Sequence, residues 1–222
     1  MCSGFVYALS VAEAFMAAQG IENGLIVTCD PYSRIMAAED KLTNAVFGDA
    51  AAATWLRADG RTVSKGLVFG TDGAGGDAIR VDAGGAARPL VSLEQSVGTA
   101  EFERDDLRLH MNGRDVFNFV NTVVPKSFTA SLDKAGLTMD DIDWFALHQG
   151  SAYMLKSLAK RAGIPEAKLR MNIQDYGNTV SSTIPMLLED LMASTPMAGK
   201  RVLISGFGVG LSWATGVLEF NR

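Results

Sequence analysis

The sequence predicts a layered α/β fold, on two observations. From Ser64 to Arg222, apolar runs of strand length alternate with helical stretches in the order β-α-β-α-β-α-β-β. Such alternation implies a mostly parallel sheet with helices on its faces. Before Ser64 the order is α-β-β, the same as the last three elements of the later unit. Hydrophobic residues are 48% of the 222 and charged residues 20%, enough for a sizeable core and unlike a disordered chain.

Ser3 to Gln19 is rich in Ala, Leu, Met and Phe and stops at Gly20, so it reads as a buried helix. Gly24 to Asp30 is a short apolar run, read as a buried strand. A turn at Phe47-Gly48-Asp49 precedes a strand from about Ala50 to Arg57, and Ser64 to Thr71 is the next strand. The glycine-dense segment Asp72 to Ala87 reads as a loop. Gly113 to Ala135 is helical in period, with Pro125 expected to kink or split it. Ile142 to Leu147 reads as a strand, Ser151 to Ala162 as a helix ended by Gly163, and Leu169 to Ile173 as a short strand. Val180 to Ser194 reads as a helix despite Pro185. Arg201 to Ser205 and Leu211 to Phe220 are strands joined by the loop Gly206-Phe207-Gly208-Val209-Gly210.

Composition narrows the function classes. The net charge of -5, with no basic run, argues against nucleic acid. No stretch of about 18 apolar residues is free of charges and turn formers, so no membrane span is expected. Two cysteines, Cys2 and Cys29, are too few for a disulfide framework and fit a reducing, cytoplasmic setting. Two cysteines and two histidines without ligand spacing argue against zinc.

Four local patterns carry chemistry. Cys2-Ser3-Gly4-Phe5 opens an apolar helix. There the helix dipole is expected to lower the thiol pKa and make a usable nucleophile. Taken alone, a small buried structural Cys is the commoner reading. Leu147-His148-Gln149-Gly150 ends a strand, where open α/β sheets gather their sites. A His satisfied by local backbone bonds is as good a reading of that pattern by itself. Tyr176-Gly177-Asn178-Thr179 is a turn into a helix, with Asn178 either an N-cap or an amide presented to a substrate oxygen. Gly206 to Gly210, running into Leu211-Ser212-Trp213, lets backbone N–H groups approach a ligand. It precedes no helix and lacks Lys, so a nucleotide loop is a poor reading. Cys29 reads as core, His110 as surface, Asp49 as an anchor for backbone groups, and Met16, Met154 and Met186 as core or cavity lining.

In order, local sequence and spacing the four patterns resemble the β-ketoacyl-acyl-carrier-protein synthase III family. His148 and Asn178 stand 30 residues apart, as that family's His-Gln-Ala-Asn and Gly-Asn-Thr turns do. Val46-Phe47-Gly48-Asp49-Ala50 resembles its Phe-Gly-Asp-Gly-Ala segment, and Met111-Asn112-Gly113-Arg114-Asp115-Val116-Phe117 its Met-x-Gly-x-x-Val-Phe segment. The departures are Gly150-Ser151 in the His turn, Val209 inside the glycine loop, and Tyr153 where an Arg that meets the carrier protein often stands.

The resemblance implies a thiolase-like fold layered α-β-α-β-α. Residues 1–63 would be a remnant of the first half and residues 64–222 the second half. It implies an acyltransferase of fatty-acid or related acyl-chain biosynthesis, condensing an acyl thioester with malonyl-acyl-carrier protein. Cys2 would hold the acyl group, and the loop Gly208, Val209 and Gly210, with the Cys2 N–H, would form an oxyanion hole. His148 Nε2 and Asn178 Nδ2 would both donate to the enolate oxygen. Coenzyme A and carrier-protein thioesters would be substrates, with no metal or redox cofactor, and the complete enzyme would be a homodimer. Lys156, Lys160 and Arg161 would form a carrier-docking face. Acyl transfer without decarboxylation, or an inactive fragment serving as an interaction subunit, are the alternatives. The family's nucleophile follows a run of strands and helices, whereas Cys2 is the second residue here. Without that run, the first helix is expected to fray and the strands Gly24 to Asp30 and Ala50 to Arg57 to expose apolar surface.

Overall fold

The computed structural model describes residues 1–86, 88–89 and 104–221. The helices are α1 (Gly4–Gln19), α2 (Lys41–Asn44), α3 (Gly113–Ala135), α4 (Ala152–Ala162), α5 (Ile173–Tyr176) and α6 (Thr183–Ser194). The strands are β1 (Asn23–Cys29), β2 (Ala51–Arg57), β3 (Thr62–Thr71), β4 (Ile79–Arg80), β5 (His110–Met111), β6 (Trp144–Leu147), β7 (Arg201–Gly208) and β8 (Ser212–Phe220).

Alternation along β6 and β7 divides the core in two. Phe145, Leu147, Leu203 and Phe207 pack with Val120, Val124 and Phe128 of α3 and Leu155 and Leu158 of α4. Ala146, Val202 and Ile204 point the other way, onto Phe5, Val6 and Leu9 of α1 and Ile184, Leu187 and Leu188 of α6. Successive strand residues face opposite sides, so a strand apolar on both faces is what a sheet between two helical layers requires. A fully buried Leu, Ile or Phe contributes about 1.5–3 kcal/mol by leaving water. β1 and β2 form a second sheet against α1 and α6, giving the layers α-β-α-β.

Several sequence expectations change. The four-stranded sheet, in order β3-β8-β7-β6, is mixed rather than mostly parallel. Only β6 and β7 run parallel. A short turn at residues 209–211 joins β7 directly to β8, and a hairpin is antiparallel by necessity. β7 also runs on through Gly208, so three of the five residues of the expected glycine loop are strand. Leu169 to Ile173 is no strand: it makes one bridge, Leu169 to Phe145, before the chain coils into α5. The segment from Asp72 holds a 3-10 turn at Gly73–Ala78 and then β4, paired with β5; Ala87 lies outside the described residues. Two-residue strands are too short to show a period. Pro125 does not split α3, which runs unbroken against β3 and β8. The expected helix from Val180 begins as a 3-10 turn at Val180–Ser182 and becomes α-helical at Thr183.

The glycine stops at Gly20 and Gly163 hold, both capping their helices in the left-handed conformation, and Gly136 caps α3 in the same way. The outer face of β1 and β2 is apolar and open, with Leu25 and Val27 each 64% and Trp55 65% exposed. Cys29 is on that face and not in the core, because the one-residue alternation of β1 turns it outward. No helix among the described residues is long and apolar enough to cross a membrane.

One backbone position ties β3 to α3. The register of β3 on β8 shifts between Lys65 and Val68, and Gly66 there has φ 60°. A Cβ at Gly66 would lie 2.1 Å from the Ser131 carbonyl oxygen of α3. Gly66→Ala is therefore expected to cost roughly 2–4 kcal/mol, from left-handed strain and the clash together. In a chain of this size that is a fall in melting temperature of roughly 5–15 °C, read by calorimetry. An unchanged melt would show that β3 does not need this approach.

Candidate active site

The start of α1 lies against the end of β7, backbone to backbone. A Cβ on Gly206 would fall 2.7 Å from the Cys2 carbonyl oxygen and 2.7 Å from Ser3 Cα. A Cβ on Gly208 would fall 2.7 Å from Cys2 Sγ. Residues i and i+2 of a strand share a face, so these two glycines clear one continuous seat for the Cys2-Ser3 turn. Ser3 Oγ then hydrogen-bonds Ser212 Oγ of β8 at 2.6 Å. Phe207, between the glycines, points to the other face and meets the His148 ring edge-on, with centroids 5.6 Å apart.

His148 follows the last residue of β6, and its N–H still pairs with the Ser205 carbonyl of β7 at 2.8 Å. Its Nδ1 lies 2.8 Å from Thr183 Oγ1, at the first residue of α6. Burial pushes the ring pKa down to about 3, so the imidazole is neutral at pH 7. Nε2 has no hydrogen-bond partner among the described residues.

Asn178 is positioned by a distant segment. Its N–H donates to the Val46 carbonyl at 2.8 Å, and the Gly48 N–H donates to the Asn178 carbonyl at 3.0 Å. A Cβ at Gly48 would sit 2.1 Å from the Tyr176 carbonyl oxygen, so only glycine lets these segments meet. Asn178 Oδ1 accepts the Val180 N–H at 2.9 Å. The oxygen therefore caps the turn, and Nδ2 has no hydrogen-bond partner among the described residues. Val180 has φ 56°, an unusual conformation for a β-branched residue. Asp49 accepts the Ser33 N–H at 2.9 Å, fixing the turn that carries Tyr32.

Cys2, His148 and Asn178 line one cavity of about 410 Å³, with Gly208 and Val209. Its remaining walls include Tyr32, Phe47, Val120, Phe117, Tyr153 and Met154. Gly210 is exposed and not part of this wall, because the hairpin turns it away. Tyr153 is 75% exposed and stacks on Phe117, with centroids 5.5 Å apart. Lys156, Lys160 and Arg161 lie outside the cavity on the exposed side of α4, with no ion pair among the described residues. His110 sits on β5, 3.9 Å from Asp82.

The expected lowering of the Cys2 pKa is overturned. Burial pushes the thiol up, and this outweighs the opposing Val209 N–H, which points at the sulfur. Cys2 rests as a thiol. Thr183, Val180 and Tyr32 were not singled out by sequence. Four hydroxyl residues, Thr179, Ser181, Ser182 and Thr183, stand close together there, and nothing in their order tells which one meets His148. No group of three or more His, Cys, Asp or Glu placed to hold a metal occurs among the described residues. The cavity offers one nucleophile, a neutral imidazole, a free amide donor and a backbone N–H aimed at the sulfur. That set is suited to acyl chemistry with charge developing on oxygen.

Neutral burial of His148 makes stability depend on pH. Its folded pKa lies below the unfolded value, so between about 6.5 and 3 the unfolded chain binds the extra proton. Stability is then present above pH 6.5 and falls as pH drops below it, by about 2 kcal/mol at pH 5 relative to pH 7. Urea melts at the two pH values should show this loss, and His148→Gln should remove most of it. An equal loss in both proteins would place its origin elsewhere.

The chain matches the family model for 3-oxoacyl-[acyl-carrier-protein] synthase III over residues 1–80 and the model for its C-terminal part over residues 132–220. It is 34% identical over 223 residues to the β-ketoacyl-[acyl-carrier-protein] synthase III of Acaryochloris marina, spanning 100% of this chain and 65% of that protein. With the same-named protein of Lactococcus lactis subsp. lactis it shares 32% identity over 225 residues, spanning 98% of this chain and 66% of that one. A crystal structure of a 3-oxoacyl-(acyl-carrier-protein) synthase III, 38% identical, superimposes with a TM-score of 0.88 over 99% of this chain and 66% of its own. The chain thus spans just under two thirds of the length of these relatives, it has a thiolase-like fold that lacks the fifth layer of the expected α-β-α-β-α order, and it belongs to the 3-oxoacyl-[acyl-carrier-protein] synthase III family.

Proposed function

We propose that the chain is the nucleophile-bearing part of an acyltransferase that condenses an acyl thioester with malonyl-acyl-carrier protein, in fatty-acid or related acyl-chain synthesis. The carrying observation is the convergence of Cys2, His148 and Asn178 on one cavity, with Nε2 and Nδ2 both free of protein partners. In the first stage Cys2 Sγ attacks the thioester carbonyl. The carbon–sulfur bond of the donor breaks, and coenzyme A leaves as the thiol with the Cys2 proton. The Val209 and Cys2 N–H groups hold the oxyanion. In the second stage the malonyl carboxylate leaves as carbon dioxide. Its electron pair forms an enolate whose oxygen lies against Asn178 Nδ2 and His148 Nε2. The new carbon–carbon bond forms as the acyl–Sγ bond breaks, and the Cys2 thiolate takes up a proton. Donors fixed beforehand stabilise charge that appears only in the transition state. The chemistry uses no metal or redox cofactor, and we read the setting as cytoplasmic and the complete enzyme as a homodimer. Residues 1–63 are read as a remnant of its first half and residues 64–222 as its second half, on their shared α-β-β order.

Incubation with acetyl-coenzyme A should add an acetyl group to the Cys2 peptide by mass spectrometry. Malonyl-carrier protein should then release carbon dioxide. Asn178→Ala is expected to leave acylation intact and to slow carbon dioxide release roughly 10²–10³-fold. Acylation without carbon dioxide release would mean plain acyl transfer. No acyl-Cys2 in this chain or in a form extended to the relatives' length would mean a non-catalytic role.

The carrier reading rests on α4. Tyr153 stands at the cavity wall, and Lys156 and Lys160, four residues apart, continue the exposed side away from it. Carrier proteins are acidic, and such steering is salt-sensitive. Reversing Lys156 and Lys160 to Glu should raise the carrier KM about tenfold or more at low salt, with little effect on acylation by acetyl-coenzyme A. An unchanged carrier KM would rule out this face.

A further inference from the structure

His148 is neutral, so its ring carries one proton, and Nδ1 has a hydroxyl as its side-chain partner. Thr183 Oγ1 lies 2.8 Å from that nitrogen and 2.9 Å from the Val180 carbonyl oxygen. A hydroxyl has a single proton to donate, so it serves one of them at a time. When it donates to the Val180 carbonyl, it accepts from Nδ1–H, and Nε2 faces the cavity as an acceptor. When it donates to Nδ1, the ring proton is on Nε2, which faces the cavity as a donor. Thr183 and Val180 are 2% and 0% exposed, so a lost hydrogen bond here is costly.

We propose that Thr183 is a two-position hydroxyl that sets the His148 tautomer according to what occupies the cavity. The proposal rests on the reading of the reaction given above. Without a substrate oxygen, the chain Nδ1–H to Thr183 to Val180 makes two internal bonds, and the alternative makes one. With a thioester oxygen against Nε2, the first arrangement sets two lone pairs against each other. The second keeps two bonds, Thr183 to Nδ1 and Nε2–H to the oxygen. The ring gives up a proton at Nδ1 and takes one at Nε2, both exchanged with water, so its charge does not change. The resting state thereby offers the Cys2 thiol an acceptor, and the occupied state offers the enolate oxygen a donor. The left-handed backbone of Val180 serves both partners at once: its N–H fixes the Asn178 amide and its carbonyl holds the Thr183 hydroxyl. Thr183 is a positioning residue, since it acts through His148.

The chain has only two histidines, so nitrogen NMR of the labelled protein reads the tautomer directly, with His110 as internal reference. The resting protein should show Nδ1–H, and saturating acetoacetyl-coenzyme A should move it to Nε2–H. Thr183→Ser should behave as the parent. Thr183→Val can neither accept from Nδ1–H nor donate to Nδ1, so it should show Nε2–H with and without the ligand, and should acylate Cys2 more slowly than the parent for want of the resting acceptor. The same tautomer with and without ligand in the parent, or an unaltered response in Thr183→Val, would overturn the proposal. If Thr183→Val does not fold, the parent titration with and without ligand decides alone. Failure of acyl-Cys2 to form would count against the proposed reaction and leave the resting tautomer still readable.

Discussion

The contact of the Cys2-Ser3 turn with Gly206 and Gly208 is the constraint on which the site depends. A strand side chain at either glycine would occupy space held by backbone or by the sulfur itself. With both absent, the start of α1 sits flat on β7 and the Val209 N–H reaches Sγ. The same strand carries Phe207 out of its other face to steady His148. One strand end thus places two functional groups by its pleat, the Cys2 turn through its glycines and His148 through Phe207, at one cavity.

Asn178 is held differently, by pairing between segments far apart in sequence. Residues 46–48 and 177–178 meet across two short backbone bonds, and Gly48 is what allows the approach. The Phe47-Gly48-Asp49 pattern therefore does two separate tasks. Gly48 admits Asn178, and Asp49 secures the turn that brings Tyr32 to the cavity wall. Val180 then links Asn178 to Thr183 and so to His148. Backbone strain kept at such a point fits a position that its surroundings over-determine.

Most of the fold was legible because its signals are local. Gly20 and Gly163 stop helices by a conformation that few other residues adopt, and the apolar runs of β6 and β7 identify a sheet covered on both sides. Strand direction was not legible. Whether β7 turns straight back into β8 depends on where strand gives way to turn within Gly206 to Gly210, and a glycine-rich run does not mark that boundary. Cys2, His148, Asn178, Gly208 and Val209 were legible as a set because their motifs recur in order, yet Gly210 was carried along with its neighbours although the hairpin turns it outward. The thiol's acidity was misjudged for a physical reason: a helix dipole is a local property, and burial depends on everything packed around the sulfur. Thr183 could not be chosen from four nearby hydroxyls, since only packing decides which of them meets the imidazole.

The two sulfurs of this chain have opposite surroundings. Cys2 is enclosed, with its proton held on by burial, while Cys29 stands on the open face of β1. Thiolate character and access together govern attack by peroxide and alkylating agents. A reagent that finds its target by general electrophilicity therefore meets Cys29 before Cys2. The same burial that holds the proton on the cavity sulfur limits its access to reagents that fit the cavity.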